Sequence, residues 1–443
     1  MTLPEDVLLC LRRLNEAGYT AYVVGGCVRD SLLGLTPNDY DMCTAATPEE
    51  ISRIFSDFPQ VHNGEKHGTV GVILHKQVYE LTTFRMEGNY EDSRHPGWVK
   101  FVSHVEQDLA RRDFTVNAMA YSPEQGLIDP FGGQQDLHDH ILRAVGEPET
   151  RFREDALRIL RGVRFAVRFS LNPDKATEDA MVRCAPLMEH LAAERIFEEM
   201  CKLITLADAE DLLRFCPVIT QVIPELKESV GFQQHTPYHK FDVFTHVAHV
   251  VQTVPNTLAL RWAALLHDVG KPATYSLDEA GRGHFKGHAG VSAQIADRVL
   301  LRLKAPTKLR EQTVFLIAHH MVTWEPDKRL LRRRLGKYGP DAVQDLIALQ
   351  IADFLSKGTG ARLEDTYFPE LKILLSQLLD EDACLTVKDL KLTGRDLISA
   401  GFPPCPGMGK CLSWLLNQVQ DELLPNEKTA LLAAAAEHKE EFL

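Results

Sequence analysis

The stretch VVGGCVRDSLLGLTPNDYDMCT, residues 23–44, decides the fold of the amino-terminal part of this chain. An apolar, β-branched run ends in the paired glycines Gly25 and Gly26, and a helix-like segment that contains Arg29 follows. Backbone N–H groups at such a turn and helix start can hold phosphate groups, and an arginine adds a planar fork of donors. We therefore expect a strand, a glycine turn and a helix that together bind a triphosphate.

Two carboxylates close the same stretch. Asp39 and Asp41 lie two residues apart, and on an extended segment alternate side chains share one face. They can converge on hard cations such as Mg²⁺, which assist phosphoryl transfer by binding the attacking and leaving oxygens. Glu80, on a later predicted strand, would add a third carboxylate. A surface turn for the aspartates, and a surface position for Glu80, are the alternative interpretations.

The hydrophobic pattern changes along the chain. Up to about residue 140 short strands alternate with helices, and GTVGVILHKQVYELTTFR predicts two strands that meet at a Lys76-Gln77 turn. After Arg151 nearly every segment has apolar residues at helical spacing. The pattern predicts an α+β fold with a small mixed head and a long helical body.

Composition restricts the possible functions. The chain has 443 residues and a formal net charge of -13, which excludes a strongly basic nucleic-acid binder. Local basic stripes remain, with seven Lys/Arg against three acids in 151–175 and six bases without an acid in 328–337. Such stripes either follow a phosphate backbone or form a solvated helix face. Nine scattered cysteines, no signal peptide and no long apolar run predict a reduced, cytoplasmic protein without a membrane partner.

Several motifs in a fixed order resemble the bacterial-type tRNA nucleotidyltransferase / poly(A) polymerase family, the class II CCA-adding enzymes. These motifs are GGCVRDSLLGLTPNDYDMCTAATPEE, TTFRMEGNYEDSRHPGWVKF, RRDFTVNAMAY, IDPFGGQQDL, EDALRILRGVRFAVRF and ERIFEEM. The resemblance is close over roughly residues 15–230 and looser beyond them. It implies a pol-β-like head that uses Mg²⁺ to transfer nucleotides from CTP and ATP to the 3′ end of tRNA.

The resemblance also implies roles for individual positions. Asp39 and Asp41 would bind the metal ions and, with Glu80, form the catalytic set. The implied nucleotide-binding residues are Gly25, Gly26, Arg29, Arg112, Asp113, Asn117, Asp155, Arg158, Arg161 and Arg164. For Arg112 and Asp113 an internal salt bridge is the alternative.

The motif EDALR can be interpreted chemically as well. On a continuous helix Asp155 and Arg158, three residues apart, would share a face. A carboxylate that accepts from an exocyclic amine, beside a guanidinium that donates to a ring nitrogen, matches cytosine and adenine. Uracil and guanine present the reverse order. The pair could therefore select C and A without a template, and an exposed ion pair is the alternative.

Two segments depart from the common family form. In the family the region 86–101 contains the loop needed to switch from C to A addition, and here His95 stands where arginine is usual. The tail segment PPCPGMGKC has Cys405 in place of a more common Gly-Pro pattern.

A second set of candidate ligands follows residue 235. The order H…HD…H…H…D resembles the HD phosphohydrolase superfamily, and imidazole with carboxylate is a typical hydrolytic metal site. The implied ligands of a divalent transition metal are His246, His267, Asp268, His288, His320 and Asp353, with His319 as the alternative to His320. Lys271 would lie near the phosphate, whereas His235, His239, His249 and His284 are predicted to be structural or surface residues. A helical scaffold without activity is the other interpretation.

The predicted domains are a nucleotidyltransferase head (1–140), a helical neck that binds the base and tRNA (141–230), an HD-type body (231–360) and a tRNA-binding tail (361–443). The neck, body and tail together would form an elongated all-α part. The predicted function is addition of CMP, CMP and AMP to tRNA, with a possible phosphohydrolase activity. The alternatives are a poly(A) polymerase or A-only enzyme, an HD phosphohydrolase with an RNA-binding head, and a non-catalytic tRNA-binding module. The sequence does not indicate an oligomeric state.

Overall fold

The computed structural model describes residues 1–62, 64, 68–90, 96–360, 362–380 and 384–442. The chain divides into two compact units, Met1–Pro224 with Arg302–Lys304, and Glu225–Leu301 with Ala305–Leu443. Strands concentrate in the first unit and helices dominate the second, so the predicted α+β fold is confirmed.

The first unit contains the mixed part of the fold. Its helices are α1 Glu5–Glu16, α2 Gly26–Leu32, α3 Pro48–Ile54, α4 Val105–Leu109, α5 Gly133–His138, α6 Pro148–Glu154, α7 Leu157–Phe169, α8 Lys175–Cys184, α9 Ala193–Ile204, α10 Ala209–Arg214 and α11 Cys216–Val222. Its strands are β1 Ala21–Val24, β2 Met42–Thr44, β3 Gln60–Val61, β4 Thr69–Leu74, β5 Gln77–Thr83, β6 Arg85–Tyr90, β7 Pro96–Phe101, β8 Ala120–Ser122, β9 Gly126–Ile128, β10 Ile141–Leu142 and β11 Asn172–Pro173.

The second unit is almost entirely helical. Its helices are α12 Val243–Thr253, α13 Leu258–Leu266, α14 His288–Arg302, α15 Thr307–His319, α16 Lys328–Tyr338, α17 Pro340–Leu355, α18 Phe368–Asp380, α19 Gly394–Ser399, α20 Gly407–Gln420 and α21 Lys428–Glu437. Two short strands, β12 Ser276–Leu277 and β13 Gly283–His284, form an antiparallel pair.

The main sheet places two of the predicted acidic residues side by side. Among the described residues it has seven strands in the order β3-β4-β5-β2-β1-β8-β9, and β2 and β5 run parallel. Strand β1 is buried at every position, which explains its apolar, β-branched sequence. Met42 of β2 pairs with Leu81 of β5, so Asp41 and Glu80, each one residue earlier, lie next to each other at this end of the pair.

The hairpin between β4 and β5 corrects one prediction. Leu74 pairs with Gln77, so the two-residue turn consists of His75 and Lys76 and not of Lys76-Gln77. Both turn residues have positive φ angles, 46° and 70°, as a type I′ turn requires for strands with a right-handed twist. The prediction of two strands here is confirmed, and the turn lies one residue earlier.

Local capping starts the helices that matter for the sites. Thr47 and Glu50 form a reciprocal capping box at α3, which follows β2 directly. In the second unit the Asp242 carboxylate accepts hydrogen bonds from the backbone N–H groups of Phe244 and Thr245. This cap fixes the first turn of α12, the helix that carries His246.

The two departures from the family form have different outcomes. Cys405 lies two residues before α20, with its Sγ atom 3.9 Å from the backbone oxygen of Phe442. Strands β6 and β7 form a hairpin from the Arg85–Phe101 pair outward, and His95 lies outside the described residues. Within the described part of the chain, none of the helices has the length and apolar character needed to cross a membrane.

Candidate functional site

The turn after β1 brings the paired glycines against an arginine. Gly25 has φ +78°, a left-handed conformation that favours glycine, and it precedes α2. A Cβ atom at Gly25 would lie 2.8 Å from the NH1 atom of Arg112. The backbone angle therefore favours glycine at this position, and a side chain there would also displace the Arg112 guanidinium.

Three carboxylates gather beside this turn. Asp39, Asp41 and Glu80 are solvent-exposed, and the backbone N–H of Val24 donates to the Asp41 carbonyl oxygen at 3.0 Å. Partial removal of water by the surrounding protein raises the pKa of the Asp41 carboxyl. The charges of Asp39 and Glu80 raise this pKa further, and the charge of Arg112 lowers it. This mutual repulsion and the all-oxygen donor set fit a hard divalent cation.

Asp113, near this site, is a buried carboxylate with hydrogen bonds to both of its oxygens. Its Oδ1 atom accepts from the Phe114 backbone N–H at 2.9 Å and from Asn117 Nδ2 at 3.1 Å. Its Oδ2 atom accepts from Nε and NH2 of Arg161 on α7, at 2.9 and 2.7 Å. Burial alone would raise the pKa of Asp113, but Arg161 and Asn117 outweigh it and lower the pKa to about 2. Asp113 therefore forms the internal salt bridge that was its alternative interpretation.

Arg112 has a different environment from that of Asp113. Its NH2 atom lies 3.4 Å from Oδ2 of the buried Asp108, whose Oδ1 atom binds Arg111 at 2.8 Å. The Nε atom of Arg112 is buried and has no hydrogen-bond partner among the described residues. A buried donor of this kind, next to Gly25 and close to Asp41, is suited to an anionic ligand.

Arg29 lies deeper than predicted for a triphosphate contact. It is 5% exposed and donates to Oδ1 of Asn117 and to Oδ1 of Asp30. Its guanidinium lies 4.1 Å from the ring centroid of Phe169 and 5.3 Å from that of Phe165. The polar chain Arg29–Asn117–Asp113 thus joins α2 to the loop that follows α4.

The structure contradicts one premise about EDALR. The motif is not one continuous helix, because α6 ends at Glu154 and Asp155 has the extended angles φ -143° and ψ 103°. Its Oδ1 atom accepts from the Leu157 backbone N–H at 3.0 Å, so Asp155 turns the chain into α7. Asp155 lies between α6 and α7, whereas Arg158 lies on α7, so the expectation that they share one helix face was wrong.

Each member of the EDALR pair has its own partner. Asp155 Oδ2 accepts from Arg195 NH2 at 2.9 Å. Arg158 NH1 donates to Glu154 Oε2 at 2.6 Å, and its NH2 donates to the Arg111 carbonyl at 2.9 Å. Neither residue pairs with the other, so the exposed ion pair proposed as the alternative is not present either.

The remaining arginines of α7 follow a helical period. Arg161 binds Asp113, and Arg164 Nε donates to Glu199 Oε2 at 2.6 Å in a buried pair. Both guanidiniums lie beside the ring of Phe165, at 5.3 and 4.4 Å from its centroid. The basic stripe of 151–175 is therefore partly a set of internal ion pairs on one helix.

The second unit brings all six predicted HD-type ligands together, from helices and helix ends. His246 lies on α12, His267 and Asp268 follow α13, His288 begins α14, His320 follows α15, and Asp353 lies on α17. All except Asp353 are buried.

Five of these side chains form two adjoining groups that share Asp268: His246 and His267 belong to the first, and His288 and His320 belong to the second. In the first group His267 Nε2 lies 3.2 Å from Asp268 Oδ2, and Asp353, outside both groups, has its Oδ1 atom 2.9 Å from His246 Nε2. In the second, His288 Nε2 lies 3.3 Å from Asp268 Oδ1 and 3.2 Å from His320 Nε2.

The four imidazoles are all oriented in the same way. Each Nδ1 atom lies within hydrogen-bond distance of a backbone carbonyl: His246 with Ser356 at 3.1 Å, His267 with Ala264 at 2.8 Å, His288 with Phe285 at 2.8 Å and His320 with Ile317 at 2.7 Å. An Nδ1–H that donates to a carbonyl leaves Nε2 with a free lone pair, as a metal ligand requires.

The charge states of Asp268 and His320 also fit a metal. Burial lowers the pKa of His267, but Asp268 outweighs it and raises the pKa, so a metal ion would displace a proton from this imidazole. Burial would raise the pKa of Asp268, but His267 and Lys271 lower it well below its ordinary value, so the carboxylate stays ionised. Burial, together with the charge of His267, lowers the pKa of His320 to about 4, so this imidazole is neutral at pH 7. Nε2 of His267 and Oδ2 of Asp268 are buried without a hydrogen bond of regular geometry to any described residue.

Sequence reasoning missed one histidine and left another undecided. The ring of His319 packs against Phe315 and Tyr338, which separates it from His320 and settles which of the two joins the group. His239, predicted to be structural or a surface residue, has its ring centroid 4.8 Å from that of His246. No fixed spacing links His239 to the other histidines, so only the fold reveals it.

The basic stripe of α16 has intramolecular partners. Arg332 donates to Glu422 at 2.6 Å, Arg333 pairs with Asp421, and Arg334 lies 4.5 Å above the ring of Trp324. These contacts connect α16 to the turn after α20. Part of the basic stripe of 328–337 therefore has acidic partners within this unit.

Three family models match the chain in sequence order. The model described as the poly A polymerase head domain matches residues 21–143, and the probable RNA and SrmB-binding site of polymerase A matches 170–229. The HD domain model matches residues 239–358.

Full-length relatives carry one consistent description. The chain is 34% identical over 441 residues to the CCA-adding enzyme of Levilactobacillus brevis, covering 98% of this chain and 99% of the relative. It is 33% identical over 436 residues to that of Lacticaseibacillus paracasei, with 98% and 96% covered.

Solved structures agree in fold. The CCA-adding enzyme of Bacillus stearothermophilus in complex with CTP superimposes with a TM-score of 0.72 at 28% identity, covering 100% of this chain and 99% of that one. A Thermotoga maritima CCA-adding enzyme complexed with tRNA has a TM-score of 0.61 at 22% identity, with 98% and 96% covered.

The Asp113–Arg161 pair predicts a pH-dependent stability. The pKa of Asp113 is lowered from 3.8 to about 2, so its carboxylate stabilises the fold above pH 4 and loses this effect as the pH falls towards 2. Asp113→Asn should lower the free energy of unfolding by about 2 kcal/mol at pH 7, and the difference from wild type should shrink between about pH 4 and 2.

Urea unfolding of both proteins across this pH range measures the effect. Asp57→Asn is the matched control, because Asp57 pairs with Arg13 on the surface and should change stability little at any pH. A difference for Asp113→Asn that stays constant from pH 7 to pH 2 would contradict the assignment.

Proposed function

The chain belongs to the CCA-adding enzyme family, and on that premise we propose that Asp39 and Asp41 hold the metal ions with which it extends tRNA. The protein is a nucleotidyltransferase that adds CMP, CMP and AMP to the 3′ end of tRNA from CTP and ATP. The family uses a divalent metal, and we take the ion at the carboxylates of the head to be Mg²⁺, because all donors there are oxygens.

We propose the following division of labour along the chain. Residues 1–140 form the nucleotidyltransferase head, 141–230 the neck that binds the base and tRNA, 231–360 the HD-type body, and 361–443 a tail that binds tRNA. The ranges of the three family models, 21–143, 170–229 and 239–358, support the first three divisions. The cytoplasmic location stays a prediction.

One observation carries the transferase proposal: three carboxylates and a buried, unpaired arginine nitrogen meet at the glycine turn. Bound Mg²⁺ would stabilise the charge that develops on the attacking and leaving oxygens. Asp39 and Asp41 would hold it, with Glu80 as the third catalytic carboxylate beside them. Gly25 and Gly26 leave room for the triphosphate, and Arg112 donates to it.

The neck residues would choose the base and place the sugar. We propose that Asp113 and Asn117 act near the ribose, and that Asp155 and Arg158 bind the Watson–Crick edge of the base. In the structure Arg195 donates to the Asp155 carboxylate, and the Arg158 guanidinium donates to Glu154. A base that offers an amine to Asp155 and a ring nitrogen to Arg158 replaces both contacts, and uracil or guanine would leave charged groups mispaired. Arg29, Arg161 and Arg164 complete the nucleotide-binding set by holding these elements in place.

A single assay tests the reaction. Incubation of tRNA ending at the discriminator base with CTP alone, ATP alone, or both should yield a complete CCA end only with both nucleotides. Long A tails would identify a poly(A) polymerase, and A added only to tRNA that already ends in CC would identify an A-only enzyme. Absence of incorporation from every nucleotide would overturn the transferase proposal and favour an RNA-binding head.

Asp41→Ala should reduce incorporation to below about one per cent of the wild-type rate, because a metal ligand is lost. Binding of tRNA, followed by filter retention, should change little. Asp57→Ala, on an exposed surface of the same unit, is the control. Incorporation by Asp41→Ala at the rate of this control would show that the metal assignment is wrong.

Asp155→Ala should relax base choice more than it weakens tRNA binding. We expect discrimination between CTP and UTP, measured as the ratio of kcat/KM values, to fall by about tenfold to a hundredfold, since one charged hydrogen bond is lost. Asp179→Ala, an exposed carboxylate on α8, serves as the control. An unchanged ratio would assign Asp155 to helix capping alone.

A second activity is favoured by the tethered imidazoles of the second unit. The arrangement of His246, His267, Asp268, His288, His320 and Asp353 supports a metal-dependent phosphohydrolase. Imidazole nitrogens with few carboxylates suit a divalent transition metal, which would supply an activated water. Lys271, 2.7 Å from Asp268 Oδ2, would hold a phosphate oxygen near this group.

His267→Ala should abolish metal uptake by this group and phosphoester hydrolysis while incorporation by the head continues. We expect hydrolysis to fall by at least about a hundredfold, and one Mn²⁺ fewer per chain by elemental analysis. His319→Ala is the matched control, because His319 packs against Phe315 away from the group. Equal metal content in both variants would argue for a scaffold without activity.

A further inference from the structure

The metal-binding group of the second unit opens into a cavity of about 680 Å³. The ligands Asp268, His288, His320 and Asp353 line one part of it, and His239 lines another. The volume exceeds what metal ions alone require, so a substrate can lie against the group. The side chains around the substrate space therefore decide what the proposed phosphohydrolase site accepts.

The segment that carries His239 is held firmly in place. The backbone N–H of Lys240 donates to the carbonyl of Lys357 at 3.0 Å, and Gln234 Nε2 donates to the carbonyl of Phe241 at 3.2 Å. The ring of Phe241 stacks on His249, with 4.8 Å between ring centroids. His239 thus occupies a fixed place on the cavity wall.

His239 lies beside the metal-binding groups without belonging to them. Its ring stands nearly perpendicular to that of His246, at 88°, and the 4.8 Å between their centroids is shorter than the 5.6 Å between His246 and His267. Among the described residues, the groups whose ligand atoms lie within 4.8 Å of one another do not include His239. Its Nδ1 atom is buried and forms no hydrogen bond within the described part of the chain. A buried polar atom without a partner, next to a ligand cavity, is suited to a ligand atom.

The charges around His239 indicate what that ligand is. Lys271 Nζ lies 2.7 Å from Asp268 Oδ2 and 2.9 Å from Gln234 Oε1, and Lys357 Nζ lies 3.6 Å from Asp353 Oδ2. Of these side chains, Asp268, Lys271 and Lys357 line the same cavity as His239. Lys271 is buried and Lys357 is half-buried, so their two ammonium groups place positive charge beside the metal-binding group, where it attracts an anion.

We infer that His239 is a substrate-contacting residue of this site, whose imidazole donates a hydrogen bond to a phosphate oxygen of a bound phosphoester. This inference rests on the proposed phosphohydrolase function. It adds a directional donor beside His246 to the positive charges of Lys271 and Lys357. The contact is made to the substrate and not to the metal, so metal affinity and phosphate affinity should separate when His239 is changed.

The test uses the full-length chain loaded with Mn²⁺ and inorganic phosphate as the probe. Titration calorimetry should show phosphate affinity reduced by about tenfold in His239→Ala, the loss of one hydrogen bond to a charged group. The affinity for Mn²⁺, measured by electron paramagnetic resonance, should stay within about twofold of wild type because no ligand is removed. His239→Asn, whose amide still donates, should recover part of the phosphate affinity.

His284→Ala is the matched control, since His284 lies on the same cavity and pairs with Asp278 at 2.9 Å. It should bind Mn²⁺ and phosphate as wild type does. Wild-type phosphate affinity in His239→Ala would overturn the role of His239, and so would loss of Mn²⁺ from this variant, which would make His239 a metal ligand. A wild-type chain that takes up no Mn²⁺ at this group would instead overturn the phosphohydrolase function itself, and the inference with it.

Discussion

One buried carboxylate holds the proposed nucleotide site together. Asp113 accepts four hydrogen bonds, two from its own loop and two from Arg161 of α7. Burial of a charged carboxylate costs free energy unless its oxygens accept hydrogen bonds. The loop that carries Asp113 is therefore stable in this position only while Arg161 of α7 donates to it. Through Asn117 the same network reaches Arg29 on α2. The glycine turn, the carboxylates beside it and α7 thus depend on a contact between residues 48 positions apart in sequence.

The sequence predicted the parts of the site that rest on local geometry. A strand followed by Gly25, and alternating aspartates before a strand, are short-range patterns, and the structure contains both. The six HD-type ligands were predictable because imidazole and carboxylate recur in a recognisable order.

The patterns that misled have a common cause, which is that side-chain partners come from distant segments. EDALR has good helical spacing, but the Asp155 carboxylate accepts from the backbone N–H two residues later and from Arg195 at its other oxygen, so the helix breaks. The stripe on α16 contains no acid of its own, yet Asp421 and Glu422 supply the counter-charges about ninety residues later. His239 matched no motif because its relation to His246 exists only in three dimensions. Spacing reports which residues share a face, and it does not report what covers that face.

The two candidate metal centres differ in their donor atoms and therefore in the metal ions that they favour. The head offers exposed carboxylates that repel one another, an all-oxygen set that favours a hard cation and leaves space for a triphosphate. The body offers buried imidazoles, each fixed by a backbone carbonyl, and nitrogen donors favour softer transition metals. Because donor chemistry differs so strongly, each centre can select its own ion from a common medium. A single chain can therefore carry two metal-dependent sites that act on phosphate groups and share no ligand residue. A change in the supply of one metal would affect one site before the other.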